Sequence, residues 1–196
     1  MTYIAVEGAD GAGKSTQARL LADRLGALLV REPGFTALGA DLRRLLLDPD
    51  GAPVDARTET LLMAADRAQL MAEVIAPALA AGRAVVSDRS VYSSLAYQGG
   101  GRALGVDEVR RINQWALQGR FPDLVVHLTA SAGILESRLD RALDRMEREG
   151  GAFRRRVADA YADLAAADDW VEVSAVGTMS EVAEAVWVAV EPRLGG

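Results

Sequence analysis

The chain has 196 residues and a formal net charge of −6, with 50% of residues hydrophobic and 26% charged, the profile of one globular domain with enough length for a sizeable core. It has no cysteine and a single histidine, His127, which excludes disulfides, thiolate zinc sites, a cysteine nucleophile and a multi-histidine metal centre. The acidic balance argues against nonspecific binding to nucleic acid or anionic membrane, and no apolar run approaches the length of a membrane span.

Thr2–Glu7 (TYIAVE) is a short β-branched and apolar run, read as a buried strand. No basic and apolar leader precedes it, so the cytoplasm is the expected compartment. The next stretch, Gly8, Ala9, Asp10, Gly11, Ala12, Gly13, Lys14, Ser15 and Thr16, fits G-x-x-x-x-G-K-[ST] at every fixed position. Ala18, Leu20, Leu21 and Leu25 then recur at helical spacing. Strand, glycine loop and helix is the context in which this pattern binds nucleotide phosphates. Successive N–H groups form a nest for phosphate oxygens, and the helix N-terminus adds positive potential. Lys14 can reach the β- and γ-phosphates, and the Ser15 hydroxyl is placed to ligate Mg²⁺. Lys14 is also the only lysine among 22 Lys and Arg residues. A planar guanidinium is a poor substitute for a compact ammonium between phosphate oxygens.

Ala27–Arg31 reads as a second strand, turned by Pro33 and Gly34. Leu38–Leu47 is a helix, and a longer one runs from about Arg57 to Ala81, with Pro77 near its end as a point of bending. Ala84–Ser87 is a third strand ending in Asp88 and Arg89, followed by a short helix at Ser93–Tyr97 and a loop at Gln98–Gly101. Val106–Gln118 is helical, Asp123–Leu128 a fourth strand, Ala132–Leu143 an arginine-rich helix, and Glu147 to Ala167 helix around Gly150 and Gly151. Trp170–Val173 is a fifth strand and Ser180–Val190 a last amphipathic helix. Trp115, Trp170 and Trp187 occupy core-facing periodic positions, Arg154–Arg156 read as a solvated face, and His127 as a strand histidine without a chemical role. Alternating apolar strands and helices predict a three-layer α/β/α fold with a five-stranded parallel sheet, a single domain over 1–196. Its sites should gather beyond the carboxyl ends of the strands.

Asp88 closes an apolar strand on that rim. It reads either as a Walker-B-like carboxylate acting on Mg²⁺ or as a helix cap at a strand–helix junction. Arg89 beside it can fork onto a phosphate. Arg138, Arg141, Arg145 and Arg148 stack along one helical face. They are either a salt-bridged solvated surface or an arginine lid over about 138–150 that closes on a triphosphate.

Together Val6–Thr16, Arg31–Leu47, Thr58–Pro77 and Asp88–Gly105 resemble thymidylate kinases of the bacterial type, in the family's order and over nearly the whole chain. The resemblance implies a P-loop nucleoside-monophosphate kinase fold and an enzyme of dTTP biosynthesis, a homodimer, that phosphorylates dTMP to dTDP with ATP and Mg²⁺. It implies that Arg43 and Arg89 hold the dTMP phosphate and that Arg67 meets the thymine edge. Ser94 and Gln98 make polar contacts near the base, and Tyr97 lies beneath the sugar with no room for a 2′-hydroxyl. Asp10 lies near the sugar and the metal, with Glu147 assisting. Arg138 packs on adenine, while Lys14, Arg89, Arg141 and Arg145 act on the transferring phosphoryl. Met63 stands where the family usually has a phenylalanine stacked on thymine; it serves the base or packs in the core. Phe35 replaces the second glycine of R-E-P-G-G-T, and an entry of its ring into the base site would compensate for Met63.

Three rivals remain. Another nucleoside-monophosphate or deoxynucleoside kinase is disfavoured by ADRAQ and DRSVYSSLAYQ. A GTP-dependent switch would need N-K-x-D, which the lone lysine forbids. A scaffold with a vestigial nucleotide site would bind ATP without turnover.

Overall fold

The computed structural model describes residues 2–138, 144–146 and 148–194. Five strands, β1 (Tyr3–Glu7), β2 (Leu28–Arg31), β3 (Val85–Asp88), β4 (Leu124–Thr129) and β5 (Val171–Ser174), form one sheet in the order β2-β3-β1-β4-β5. Every pairing is parallel. All five β1 residues are buried, as a central parallel strand covered on both faces requires.

Its side chains alternate between two cores. Tyr3 and Ala5 join Val30, Val85 and Val125 on one face, and Ile4 and Val6 join Val86, Val126 and Leu128 on the other. Burial of each Val, Leu or Ile contributes about 1.5–3 kcal/mol. The second face is closed by α1 (Lys14–Leu25) and α9 (Met179–Val190), which place Ala18, Leu21, Val182 and Val186 in that core. A capping box between Thr178 and Glu181 starts α9. The first face is covered by α3 (Ala56–Leu70), α6 (Val106–Ala116) and α8 (Gly151–Ala167), with α2 (Ala37–Leu47) packed on α3.

Two helices depart from regular geometry. The helix begun by α3 widens into a π turn at Met71–Ile75 before α4 (Ala76–Ala80). Pro77 has no N–H and its ring clashes with the carbonyl four residues back, so the turn ahead of it opens. The stretch Gln98–Gly101, expected as a loop, is helical instead. α5 (Val91–Ser94) runs into a π-helical segment, Leu95–Gly101. The glycines serve close packing on α8. A Cβ on Gly100 would lie 2.5 Å from the Ala160 Cβ, and one on Gly101 would lie 2.6 Å from Phe153 Cε2.

Among the tryptophans, Trp170 is buried and Trp187 packs partly buried under Arg24, whose guanidinium lies 4.1 Å from its ring centre. Trp115 is not a core residue; it is 84% exposed. The buried stripe of α6 is Val109, Asn113 and Ala116, and Trp115 lies about 240° around the helix from Val109. Arg154–Arg156 of α8 are exposed as expected, and Arg156 in addition donates to the Gly101 carbonyl from Nε at 3.0 Å and Nη2 at 2.6 Å. His127 is stacked on Tyr161 and edge-on to Trp170, in keeping with a packing role. In the arginine-rich segment, α7 (Ala132–Ser137) ends before Arg138. No helix among the described residues is long and apolar enough to cross a membrane.

Candidate active site

Strand register brings the chemistry to one edge. Val6 and Arg31 both pair with Asp88, and Glu7 pairs with His127. A cavity of about 340 Å³ opens beyond these strand ends. Its wall includes Asp10, Gly11 and Gly13–Thr16 of the glycine loop, Arg31–Pro33 after β2, Arg43 of α2, Met63 and Arg67 of α3, and Asp88–Ser90 after β3. Leu47, Ser93, Ser94, Tyr97, Gln98, Asp144 and Met146 also line it.

The glycine loop depends on backbone that only glycine adopts readily. Gly8 has φ 141°, and a Cβ there would lie 2.5 Å from the Leu128 carbonyl oxygen. Gly13, at φ 84°, caps α1 without a side-chain acceptor for the first helical N–H groups, which leaves them for an anion. Lys14 is buried, with Nζ donating to the Ala9 carbonyl at 2.7 Å and lying 3.7 Å from Asp10 Oδ1. Burial, and then the Arg89 charge, pull its pKa down to about 8. The Ser15 hydroxyl donates to Asp88 Oδ2 at 2.5 Å. Asp88 is not the helix cap; Ser90 takes that place and accepts from the Tyr92 N–H at 3.3 Å. A hydroxyl and a carboxylate converging beside the phosphate loop are the hard oxygen donors that Mg²⁺ prefers.

Arg89 follows with φ 70°, a left-handed backbone unusual outside glycine and found at functional sites. It is held by its N–H on the Val6 carbonyl at 3.1 Å and by Ser87 Oγ on its own carbonyl at 2.6 Å. The guanidinium donates to Ser93 Oγ at 3.2 Å, pairs with Asp10 and lies over the Tyr97 ring. Tyr97 Oη donates to the other Asp10 oxygen at 2.8 Å. Burial acts against the Asp10 charge, but Arg89 and then Lys14 hold its pKa down at about 2. Burial likewise opposes the Arg89 charge, and Asp10 more than compensates, so that guanidinium titrates well above its ordinary range. Arg43 donates to the Pro33 carbonyl at 2.8 Å; burial and the nearby Arg31 lower its pKa.

Met63, also in the cavity wall, is 8% exposed. Arg67 donates from Nε to Glu32 Oε2 at 2.7 Å and from Nη2 to the Ser90 carbonyl and Ser94 Oγ, each at 3.2 Å. Its Nη1 donates to Asn113. Gln98 donates to Glu59 Oε1 at 2.9 Å. Phe35 does not enter the cavity; its side chain is 42% exposed, and it is absent from the wall.

The lid residues divide. Arg138 is exposed and donates to the Ala175 carbonyl at 3.0 Å, beside the loop after β5. Arg145 does not itself line the cavity, although Asp144 and Met146 on either side do; its Nη2 lies 3.8 Å from Glu59, and both Nη atoms are without a hydrogen-bond partner among the described residues. Arg141 and Glu147 lie outside the described residues.

The buried acids Glu7, Glu32 and Glu59 organise this site. Glu7 accepts from Ser90 Oγ at 2.7 Å, Ser93 Oγ at 2.7 Å and Tyr161 Oη at 2.9 Å, fixing the segment that carries Arg89. Glu59 accepts from Gln98 and from Arg102 Nη2 at 3.0 Å. Burial pushes the Glu32 carboxyl up to about 7, against the pull of Arg67. An acid ending the apolar run YIAVE was the one signal in the sequence for Glu7.

A thymidylate kinase family model matches residues 6–186. A thymidylate kinase of Synechococcus sp. (strain JA-2-3B'a(2-13)) is 46% identical over 98% of this chain and 95% of its own. One from Bifidobacterium longum (strain DJO10A) is 45% identical over 96% of this chain and 95% of its own. The crystal structure of thymidylate kinase from Ehrlichia chaffeensis superposes with a TM-score of 0.78 at 25% identity, over 96% of this chain and 98% of that one. With the P-loop, the Asp88–Arg89 strand end and the second set of arginines sharing one cavity, and with these matches along its length, the chain belongs to the thymidylate kinase family.

Proposed function

We propose that this cavity transfers the γ-phosphoryl group of ATP to the phosphate of dTMP, giving dTDP and ADP. The observation that carries the reading is that one cavity is lined both by a triphosphate loop and by a separate set of cations, Arg43, Arg67 and Arg89. A kinase acting on a nucleotide monophosphate needs two phosphate sites meeting at one point.

The residues from Gly8 to Thr16 cradle the ATP phosphates, and Arg138 lies on the adenine side near Ala175. Ser15 and Asp88 are the residues to hold Mg²⁺, with Glu147 assisting; the ion supplies charge neutralisation on the β- and γ-phosphates. Arg43 and Arg89 hold the acceptor phosphate. One of its oxygens bonds to the γ-phosphorus, and the bond to the β,γ-bridging oxygen breaks with its electron pair leaving on ADP. Lys14, Arg89, Arg141 and Arg145 stabilise charge on the moving group. Arg145 lies near Glu59, so its part requires its side chain to leave Glu59 when ATP binds. Met63, Arg67, Ser94 and Gln98 line the base, while Tyr97 floors the sugar and Asp10 orients Tyr97 and Arg89. The adjacent helices α2, α3 and α6 expose Leu38, Leu45, Leu61 and Trp115, apolar surface suited to a homodimer of cytoplasmic subunits.

The test is ADP release, coupled to a spectrophotometric readout, against every nucleoside and deoxynucleoside monophosphate, with and without Mg²⁺. Turnover should be greatest with dTMP and lost on chelating Mg²⁺. A greater kcat/KM for any purine or cytosine nucleotide would refute the assignment.

A further inference from the structure

Arg67 is held far more tightly than the phosphate-binding arginines. Of its five N–H groups, Nε–H goes to Glu32, both Nη2 hydrogens to the Ser90 carbonyl and Ser94, and one Nη1 hydrogen to Asn113. One Nη1 N–H is left without a partner among the described residues, and Arg67 borders the cavity. All four clamping residues come from outside the helix that bears it. Glu32 lies just after β2, with its N–H on the Asp88 carbonyl at 3.0 Å, and its pair with Arg67 is only 2–3% exposed. Asn113 is fully buried on α6 and donates from Nδ2 to the Val109 carbonyl at 2.9 Å. That bond uses the amide's donor end and turns Oδ1 to Arg67.

We propose that Glu32 and Asn113 are positioning residues for base specificity: by immobilising Arg67 they leave it a single N–H for the carbonyl at the pyrimidine 4-position. The inference rests on the dTMP reading above. Thymine and uracil carry an oxygen acceptor at that position; cytosine carries an amino group. A guanidinium with no freedom to turn meets that amino group donor to donor, leaving both unpaired in a buried site. A loosely held arginine would swing aside and admit it. Because uracil shares the 4-oxygen, the clamp rejects dCMP and does nothing to separate dTMP from dUMP. Contacts to the thymine methyl must do that.

This asymmetry separates the proposal from a merely structural role. The comparison is kcat/KM for dTMP, dUMP and dCMP in wild type, Asn113→Leu, Asn113→Asp and Glu32→Gln, with thermal unfolding recorded for each. Asn113→Leu keeps the volume and removes the acceptor. It should lower the dTMP-to-dCMP ratio by at least about tenfold and leave the dTMP-to-dUMP ratio unchanged. KM for dTMP should rise while kcat stays within about twofold, as expected for lost binding that does not change along the reaction. Asn113→Asp keeps the acceptor and should keep the ratio. Glu32→Gln, which retains the shape and removes the charge, should lower the same ratio at an independent position. It carries the test alone if Asn113→Leu fails to fold. Folded variants that retain the dTMP-to-dCMP ratio, or that lose both ratios together, overturn the clamp while the dTMP reading stands. A wild type with no preference for dTMP over dCMP overturns both.

Discussion

Lys14→Arg keeps the positive charge and changes only its shape, so it asks whether charge or geometry matters in the phosphate loop. The ammonium is buried, with one proton on the Ala9 carbonyl at 2.7 Å, Asp10 at 3.7 Å, and its remaining donors available to phosphate oxygens. A guanidinium is longer and flat. It cannot make the short bond to Ala9 and reach the same phosphate oxygens from a side chain anchored at the first residue of α1. It would also bring its bulk toward Arg89, whose charge already lowers the Lys14 pKa. Loss of one positioned donor to developing charge costs about 2.7–4 kcal/mol of transition-state stabilisation, or about 10²–10³ in kcat. The backbone N–H nest is untouched, so ATP should still bind, with KM changed far less than kcat. The assay is steady-state ADP release with saturating dTMP, alongside nucleotide binding by calorimetry and a thermal melt to exclude unfolding. A folded Lys14→Arg enzyme with kcat within about threefold of wild type would show that any cation suffices. The presence of lysine here, in a chain whose other basic residues are all arginine, would then carry no meaning.

Further outcomes follow from particular contacts. Met63→Phe should lower KM for dTMP several-fold with little change in kcat, because stacking a base on a ring is worth about 1–3 kcal/mol and acts before and during transfer alike. With Phe35 outside the cavity, Phe35→Gly should give an additive effect in that background, and coupling between the two in a double-mutant cycle would contradict the placement. Gly101→Ala should destabilise the protein in urea titration. Its Cβ would lie 2.6 Å from Phe153 Cε2 and 2.8 Å from Val157 Cγ2, and overpacking of about 1–3 kcal/mol exceeds the gain in helix propensity of about 1 kcal/mol. Equal or greater stability would refute the close-packing account of that glycine. His127 has its pKa lowered from 6.5, because burial outweighs the Glu172 carboxylate at 3.4 Å. The unfolded chain therefore binds this proton more readily, and stability present above about pH 6.5 is lost as pH falls below it. His127→Phe should narrow the difference in melting temperature between about pH 7.5 and about pH 5.5; an unchanged difference would place the titrating group elsewhere.

Much of this arrangement was legible in the sequence because the signals were local. The glycine loop sits between an apolar run and a helical period, and Asp88–Arg89 closes another apolar run, so both could be placed on the strand-end rim before any contact was known. What escaped depended on groups far apart in the chain. Glu32 meets Arg67 across 35 positions and Arg67 meets Asn113 across 46. No periodicity links them, and a buried acid looks like any other Glu until its partner is beside it. The QGGG stretch misled for a related reason. Three glycines in a row favour a loop on intrinsic preference, and only the Ala160 and Phe153 side chains across the interface show why the helix needs residues without a Cβ. Trp115 misled in the opposite sense, since an aromatic near an apolar stripe suggests core, yet the stripe turns away from it.

The buried acids also bear on how the cavity keeps its cations before substrate arrives. Arginines gathered for phosphates repel one another, and a buried guanidinium without a partner is costly. Here the carboxylates are divided among them. Asp10 holds Arg89 and approaches Lys14, and Glu32 holds Arg67. Glu59 holds Arg102 and lies near Arg145. These pairs differ in how much donor capacity they leave over. Among the described residues Arg67 retains a single unpartnered N–H and suits a fixed reader of a base edge. Arg89 has its two Nη atoms on Asp10 and Ser93, so its plane is set before a phosphate arrives and little reorganisation is needed at transfer. Among the described residues Arg145 has no hydrogen bond from either Nη atom and only a 3.8 Å approach to Glu59. Of the three it loses least by moving, which is the property required of a group that reaches the reacting phosphoryl only when the nucleotides are bound.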